Sequence, residues 1–243
     1  MKMLTFAKRC AKEILRDPLN LIFGLGFPIV LLLLLSAIQA NVPVSLFEIE
    51  NLTPGITVFG LSFMTLFSAT LVSKDRETEL LQRLYTTPLK SFEFIIGYTL
   101  SILPIAIIQC IISYLVAIIL GLPATINIVY AILIIIPFAI FHIALGLLCG
   151  SVFNVKQVGG ICGPLITNLS AFLSGVWFDI NLVGGVLNKI ANLFPFKHAV
   201  ELERAMLNGE FVKVIPSVYP VCLYAVVVVI GAIALFLWQM KKQ

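Results

Sequence analysis

Charge is what this sequence has least of. Asp, Glu, Lys and Arg make up 12% of its 243 residues, against about 25% in ordinary soluble domains. Motifs for chemistry are missing as well. There is no G-x-x-x-x-G-K-[ST] loop to cradle phosphates, no H-E-x-x-H or paired Cys/His metal pattern, and no G-x-S-x-G nucleophile elbow. The two histidines, His142 and His198, make no recognisable metal spacing. Five cysteines (Cys10, Cys110, Cys149, Cys162, Cys222) are scattered without a C-x-x-C pair and read as small apolar packing residues. The net charge of +4 sits between apolar runs, where membrane orientation explains it and nucleic-acid binding does not.

What is there is oil: 60% of the residues are hydrophobic. Runs of about 20 apolar residues are what ~30 Å of hydrocarbon requires at 1.5 Å per helical residue. The expected fold is an all-α polytopic membrane protein in a single domain, 1–243. Six transmembrane helices are expected at about 19–39, 55–73, 94–120, 128–150, 159–178 and 216–240. Residues 1–17 are too charged for a cleavable signal peptide. They put Met3, Phe6, Ala7, Cys10 and Ile14 on one helical face and Lys8, Arg9, Lys12, Glu13 and Arg16 on the other. That pattern predicts an interfacial helix with its bases toward lipid headgroups.

Six spans place both termini on one side, together with 74–93 and 151–158, and that side carries twelve of the sixteen basic residues. The positive-inside rule makes it the cytoplasm of a plasma-membrane protein. The opposite side has a short acidic loop at Glu48 and Glu50 and one long excursion, 179–215. The excursion reads as two amphipathic helices divided by Pro195, with Ala199, Leu202, Met206 and Leu207 on one side and Glu203 and Glu210 on another. Among the spans only His142 is ionisable at depth, with Glu93 and Asp179 at edges. A proton- or sodium-driven carrier needs a titrating or coordinating group near the midplane. The energy source is therefore expected outside this chain, and His142 is expected to hydrogen-bond a neighbouring helix.

The longest polar interruption, "DRETELLQRLYTTPLKSFEFIIGY", puts Arg76, Leu80, Leu81, Leu84 and Tyr85 at helical spacing, predicting an amphipathic helix over 75–85. Acids at its start and Arg83 near its end suit the helix dipole. Thr87 can cap and Pro88 can open the next helix. Two readings stay open: an interfacial elbow, or a docking knob whose leucines enter a partner's groove.

The stretch "SKDRETELLQRLYTTPLKSFEFIIGYTL" resembles the first cytoplasmic loop of type-2 ATP-binding-cassette (ABC-2) exporter permeases, of the bacterial drug and antibiotic exporter kind. Arg76-Glu77, Leu80-Leu81-Gln82-Arg83-Leu84, Thr87-Pro88-Leu89 and Gly97 match, while Tyr98 stands where a Lys is common. "LRDPLNLIFGLGFPIVLLLL" is similar to the family's entry into span one. "FLSGVWFDINLVGGVLNKIANLFPFKHAVELERAMLNG" resembles its last outer excursion, with Asp179 in place of a frequent proline.

The resemblance implies a non-catalytic membrane subunit of an exporter. Its partners would be two cytoplasmic ATPase subunits, which bind the ATP and Mg, and a second six-span permease, identical or not. No cofactor is expected in this chain. Residues 75–85 would be the coupling helix, with Arg76, Glu77, Leu80, Leu81, Arg83, Leu84, Thr87 and Pro88 carrying the ATPase contact. The N-terminal helix would be the connecting helix beside it, with Arg76 or Glu77 pairing with charges on that helix or on the ATPase. In this family the path runs between subunits along spans two and five, which nominates Phe59, Phe63, Phe67, Thr70, Asn168 and Phe172 for an apolar or amphipathic substrate. The other reading of those phenylalanines is that they face lipid or pack against neighbouring spans. Alternatives are a permease for polysaccharide or lipid, and a stand-alone immunity or binding protein.

Overall fold

A computed structural model describes residues 2–41, 47–78, 80, 91–178 and 180–241. The chain is helical, with no strand among the described residues. Helix α1 (Lys2–Leu15) precedes a short α2 (Pro18–Leu21), a π turn (Ile22–Gly26) and α3 (Phe27–Asn41). Then come α4 (Ile49–Leu61), α5 (Phe63–Glu77), α6 (Ser91–Ile119), α7 (Asn127–Ile134) and α8 (Ile136–Val152). A further run consists of α9 (Val155–Gly160), a second π turn (Ile161–Leu165) and α10 (Ile166–Ser174). The chain closes with α11 (Ile180–Val183), α12 (Gly185–Leu193), α13 (Pro195–Leu207) and α14 (Phe211–Lys241).

Among the described residues, five helical stretches are long and apolar enough to cross a membrane: Ile22–Asn41, Ile49–Glu77, Phe92–Ile119, Asn127–Val152 and Phe211–Gln239. The span expected over 159–178 is built differently. It starts in α9, where Lys156 and Gln157 dilute the apolar pattern, winds through the π turn at Pro164 and stops at Gly175 (φ 75°). The excursion carries α12 and α13, divided at Phe194 with Pro195 opening α13, where a missing N–H costs nothing.

Helix α8 is the axis of the fold and packs along both α5 and α14. In hydrocarbon, apolar side chains gain little by meeting each other, so close helix contact needs small residues and local hydrogen bonds. The α5–α8 seam has both. A Cβ on Gly146 would lie 1.9 Å from Ser68 Oγ and 2.3 Å from Thr65 O, and one on Gly150 would lie 2.5 Å from Ala69 O. His142 is on the same stripe, and Thr65 Oγ1 meets its Nδ1 at 2.8 Å. The imidazole is walled by Phe138, Phe141 and Phe196, with ring centroids 4.6, 5.1 and 6.0 Å away. It is fully buried and joins α8 to α5, as expected of a structural histidine.

The seam predicts a sharp asymmetry between glycines. Gly146→Val should lower the stability of detergent-purified protein by roughly 1–3 kcal/mol through overpacking. Gly231→Ala, whose added carbon would meet only Leu148 at 3.8 Å, should leave the unfolding temperature nearly unchanged.

Candidate functional site

Four consecutive residues at the end of α5 each take hold of a different part of the fold. Lys74 reaches Asp17, in the turn before the first span, at 3.2 Å. Asp75, 1% exposed, receives Arg9 Nη2 on Oδ1 at 2.6 Å and Arg9 Nη1 on Oδ2 at 2.8 Å. The Tyr98 hydroxyl of α6 donates to the same Oδ2 at 2.8 Å. Arg76 Nη1 donates to the carbonyls of Gly150 (2.9 Å) and Phe153 (3.2 Å). Glu77 Oε1 accepts from Val155 N at 3.0 Å. The last two follow the helix dipole: a cation meets the orphan carbonyls ending α8, and a carboxylate meets an orphan N–H opening α9. Asn154 completes that start, with a capping box closed by Gln157.

Helix α1 is brought in by its apolar face. Phe6, Ala7, Cys10 and Ile14 are buried, and α1 lies along α6. The Phe6 ring meets Tyr98 edge-on at 4.9 Å and Phe94 at 5.8 Å. It lies so close over Gly97 that a Cβ there would stand 2.6 Å from the ring. The apolar face expected to meet the membrane interface is thus spent on protein. Arg9, expected among the headgroup-facing bases, turns inward to Asp75, whose buried carboxylate would otherwise be an uncompensated charge.

Hydrogen bonding to Asp75 holds Arg9 further above its ordinary range, so it stays charged. Burial pushes the Cys10 thiol up to about 12 and raises the Glu13 carboxyl, the latter opposed by Arg9.

The expected site residues divide into three groups. Arg76 and Glu77 terminate the span-two helix, where a separate helix was expected to begin at 75, and they bind α8 and α9 of their own chain. It is Asp75 that pairs with the N-terminal helix. Leu80 is half-buried, while Leu81, Arg83, Leu84, Thr87 and Pro88 lie outside the described residues. On the path, Phe59, Phe63 and Phe67 are buried. Phe59 and Phe63 pack on Phe27 of α3 at 6.0 and 6.1 Å, and Phe59 on Trp177 at 6.1 Å. Thr70 is half-buried in a small cleft with Glu13, Asp17 and Lys74. Asn168 and Phe172 alone of the set face outward, one turn apart on α10.

Residues 1–208 match the family model for the ABC-2 type transporter. The chain belongs to that family. No curated protein matches it at a significant level. As an ABC-2 type transporter it is a multi-pass membrane protein and the permease component of an ABC transporter, a role consistent with the absence of catalytic motifs from the sequence.

One buried acid of this ABC-2 transporter went unforeseen. Glu203, expected on the polar side of its helix, is fully buried. Its spacing from Ala199 and Met206 is four and three residues, so the helical period places it on their face. The Tyr114 hydroxyl of α6 faces the carboxyl without closing a well-formed hydrogen bond. Next in the chain, Arg204 Nε and Nη2 donate to Asn51 O at 3.1 and 3.0 Å, tying α13 to α4.

Two predictions arise. Tyr98→Phe removes one donor to a buried carboxylate and should cost about 1–2 kcal/mol of stability, read by thermal unfolding. Burial raises the Glu203 carboxyl well above its ordinary range, so the folded protein keeps a proton that the unfolded chain releases. Stability must then fall as pH rises from the ordinary carboxylate range through the folded-state value, by up to about 1.4 kcal/mol per pH unit. Glu203→Gln should flatten that fall in unfolding curves recorded from pH 5 to 8.

Proposed function

We propose that this permease is the export channel of an ATP-driven transporter, energised by separate ATPase subunits through the clamp at Lys74–Glu77. The observation that carries the reading is the convergence of α1, α6, α8 and α9 on one four-residue segment. That segment leads directly into the Leu-rich 80–90 stretch, the proposed ATPase contact through Leu80, Leu81, Arg83, Leu84, Thr87 and Pro88. A displacement delivered there is passed by the clamp to four helices as a rigid body, the mode by which packed elements transmit motion.

In this reading the α9–π–α10 run is the fifth of six crossings, added to the five long apolar helices. Its segments of six, five and nine residues give about 30 Å at helical rise, the thickness of a bilayer core. Both termini, α1 and the clamp then lie in the cytoplasm. Two such permeases, alike or different, enclose the path. Asn168 and Phe172 support a path along α10, since a residue lining a passage between subunits must face out of its own subunit. The burial of Phe59, Phe63 and Phe67 supports a packing role for them. An outward face that mixes one amide with aromatic and aliphatic side chains suits an apolar or amphipathic substrate.

Purified alone, the chain should hydrolyse no ATP. Reconstituted with its ATPase, Leu81→Glu or Leu84→Glu should weaken association of the two. Asp75→Asn should leave association intact, yet lower transport into inside-out vesicles about tenfold, the scale of losing a charge-assisted bond. Unchanged association in both leucine variants would overturn the docking role. Full transport by Asp75→Asn would overturn the clamp.

A further inference from the structure

Helix α1 has a second face that the fold does not use. Its buried face carries Phe6, Ala7, Cys10 and Ile14, and Arg9, beside that face, is shared between Asp75 and Glu13. At about 100° per residue, the positions that follow around the helix are Arg16, Thr5, Lys12 and Lys8, and then Leu15, Leu4 and Ala11. All of these but Ala11 are exposed. The outward half of α1 is thus itself divided, into a cationic stripe and an apolar strip running side by side.

The cationic stripe borders a cleft. Thr5, Lys8, Arg9, Lys12, Glu13 and Arg16 line a volume of about 530 Å³. Lys8, Lys12 and Arg16 follow one another turn by turn over about 12 Å of helix, and they form no ion pair among the described residues. The acid in the cleft, Glu13, is already held by Arg9. The cleft therefore offers uncommitted cations and no free carboxylate, which suits a net anion and leaves a choline or ethanolamine ammonium without a partner. Leu4 and Leu15, 63% and 62% exposed, stand at the two ends of the apolar strip. Residues 16–21 alone separate α1 from the apolar stretch that begins at Ile22, so this face lies where a span enters the hydrocarbon. A phosphate beside an acyl chain answers both strips with one molecule.

We propose that the outward face of α1 is a binding site for an anionic phospholipid, with the phosphate held by Lys8, Lys12 and Arg16 and an acyl chain laid against Leu4 and Leu15. A base at a bilayer surface contributes about a fivefold preference for anionic lipid. Three of them give a preference on the order of a hundredfold over a zwitterionic lipid with the same chains. Arg9 reaches Asp75 from the same helix, so a lipid bound there also steadies α1 on α6.

The site is tested by native mass spectrometry of the detergent-purified full chain, titrated with dioleoyl-phosphatidylglycerol or dioleoyl-phosphatidylcholine, a readout independent of transport. At the first binding step phosphatidylglycerol should be retained on the order of a hundredfold more tightly, and hydrogen exchange over 2–15 should slow with it. Lys12→Gln should lose about fivefold of that preference, and a variant combining Lys8→Gln, Lys12→Gln and Arg16→Gln nearly all of it. Lys156→Gln, at an exposed base on α9, should keep it. Leu4→Ser with Leu15→Ser should weaken retention of both lipids. Glycerol phosphate, which has the charge without the chain, should not displace the lipid at equal concentration. Undiminished preference in the triple variant, an equal loss in Lys156→Gln, or displacement by glycerol phosphate would overturn the proposal. A triple variant that keeps the lipid but loses its ATPase would also overturn it, giving this face to a protein partner.

Discussion

A carboxylate that gives up its water must be given donors in exchange, and one end of this fold is arranged around that requirement at Asp75. The guanidinium of Arg9 and the hydroxyl of Tyr98 supply three hydrogen bonds to it. Their approach brings α1 against α6, and the Phe6 ring over Gly97 closes the remaining gap. Such a buried pair contributes little net energy against an apolar substitute, but breaking it from one side leaves a desolvated charge. That asymmetry makes it a device for holding one arrangement. Its neighbours Arg76 and Glu77 extend the same logic to helix ends, where the backbone already offers unpaired carbonyls and N–H groups.

Deeper in the bundle a different constraint takes over. With lipid outside as apolar as leucine inside, α5 and α8 adhere through Gly146 and Gly150 and through the Thr65–His142 contact. His142, the ionisable group deep on the seam, is thereby occupied structurally. Glu203 is the exception to this economy: an acid buried with one imperfect partner, on a helix outside the candidate spans. Together with the neighbouring tie from Arg204 to Asn51, it sets α13 against α4 and α6.

Much of this was legible beforehand. Helical class, the five long apolar stretches and the buried face of α1 follow from period and hydropathy. The Gly97 position matched a family pattern and proves to be a close-approach glycine. Tyr98, the departure from that pattern, proves to be an Asp75 ligand. Other readings failed for identifiable reasons. Arg9 was grouped with Lys8 and Lys12 because periodicity assigns a residue to a face without saying what the face meets. The charge of Glu203 argues for a polar face, while its spacing from Ala199 and Met206 puts it on theirs. The α9–π–α10 run resists a hydropathy threshold, since Lys156, Gln157 and Asn168 dilute its apolar residues.

By itself, the sequence determined that this chain is a helical membrane protein. Bilayer thickness and helical rise act on local composition alone, so a run of apolar residues is read wherever it occurs. The tertiary structure alone decided which charges are consumed internally and which face outward. Arg9 and Asp75 are 66 residues apart, as Arg76 and Gly150 are 74 apart, and no local period connects such positions. The cost of burying a charge is met wherever in space a donor happens to stand, and that is a property of the fold.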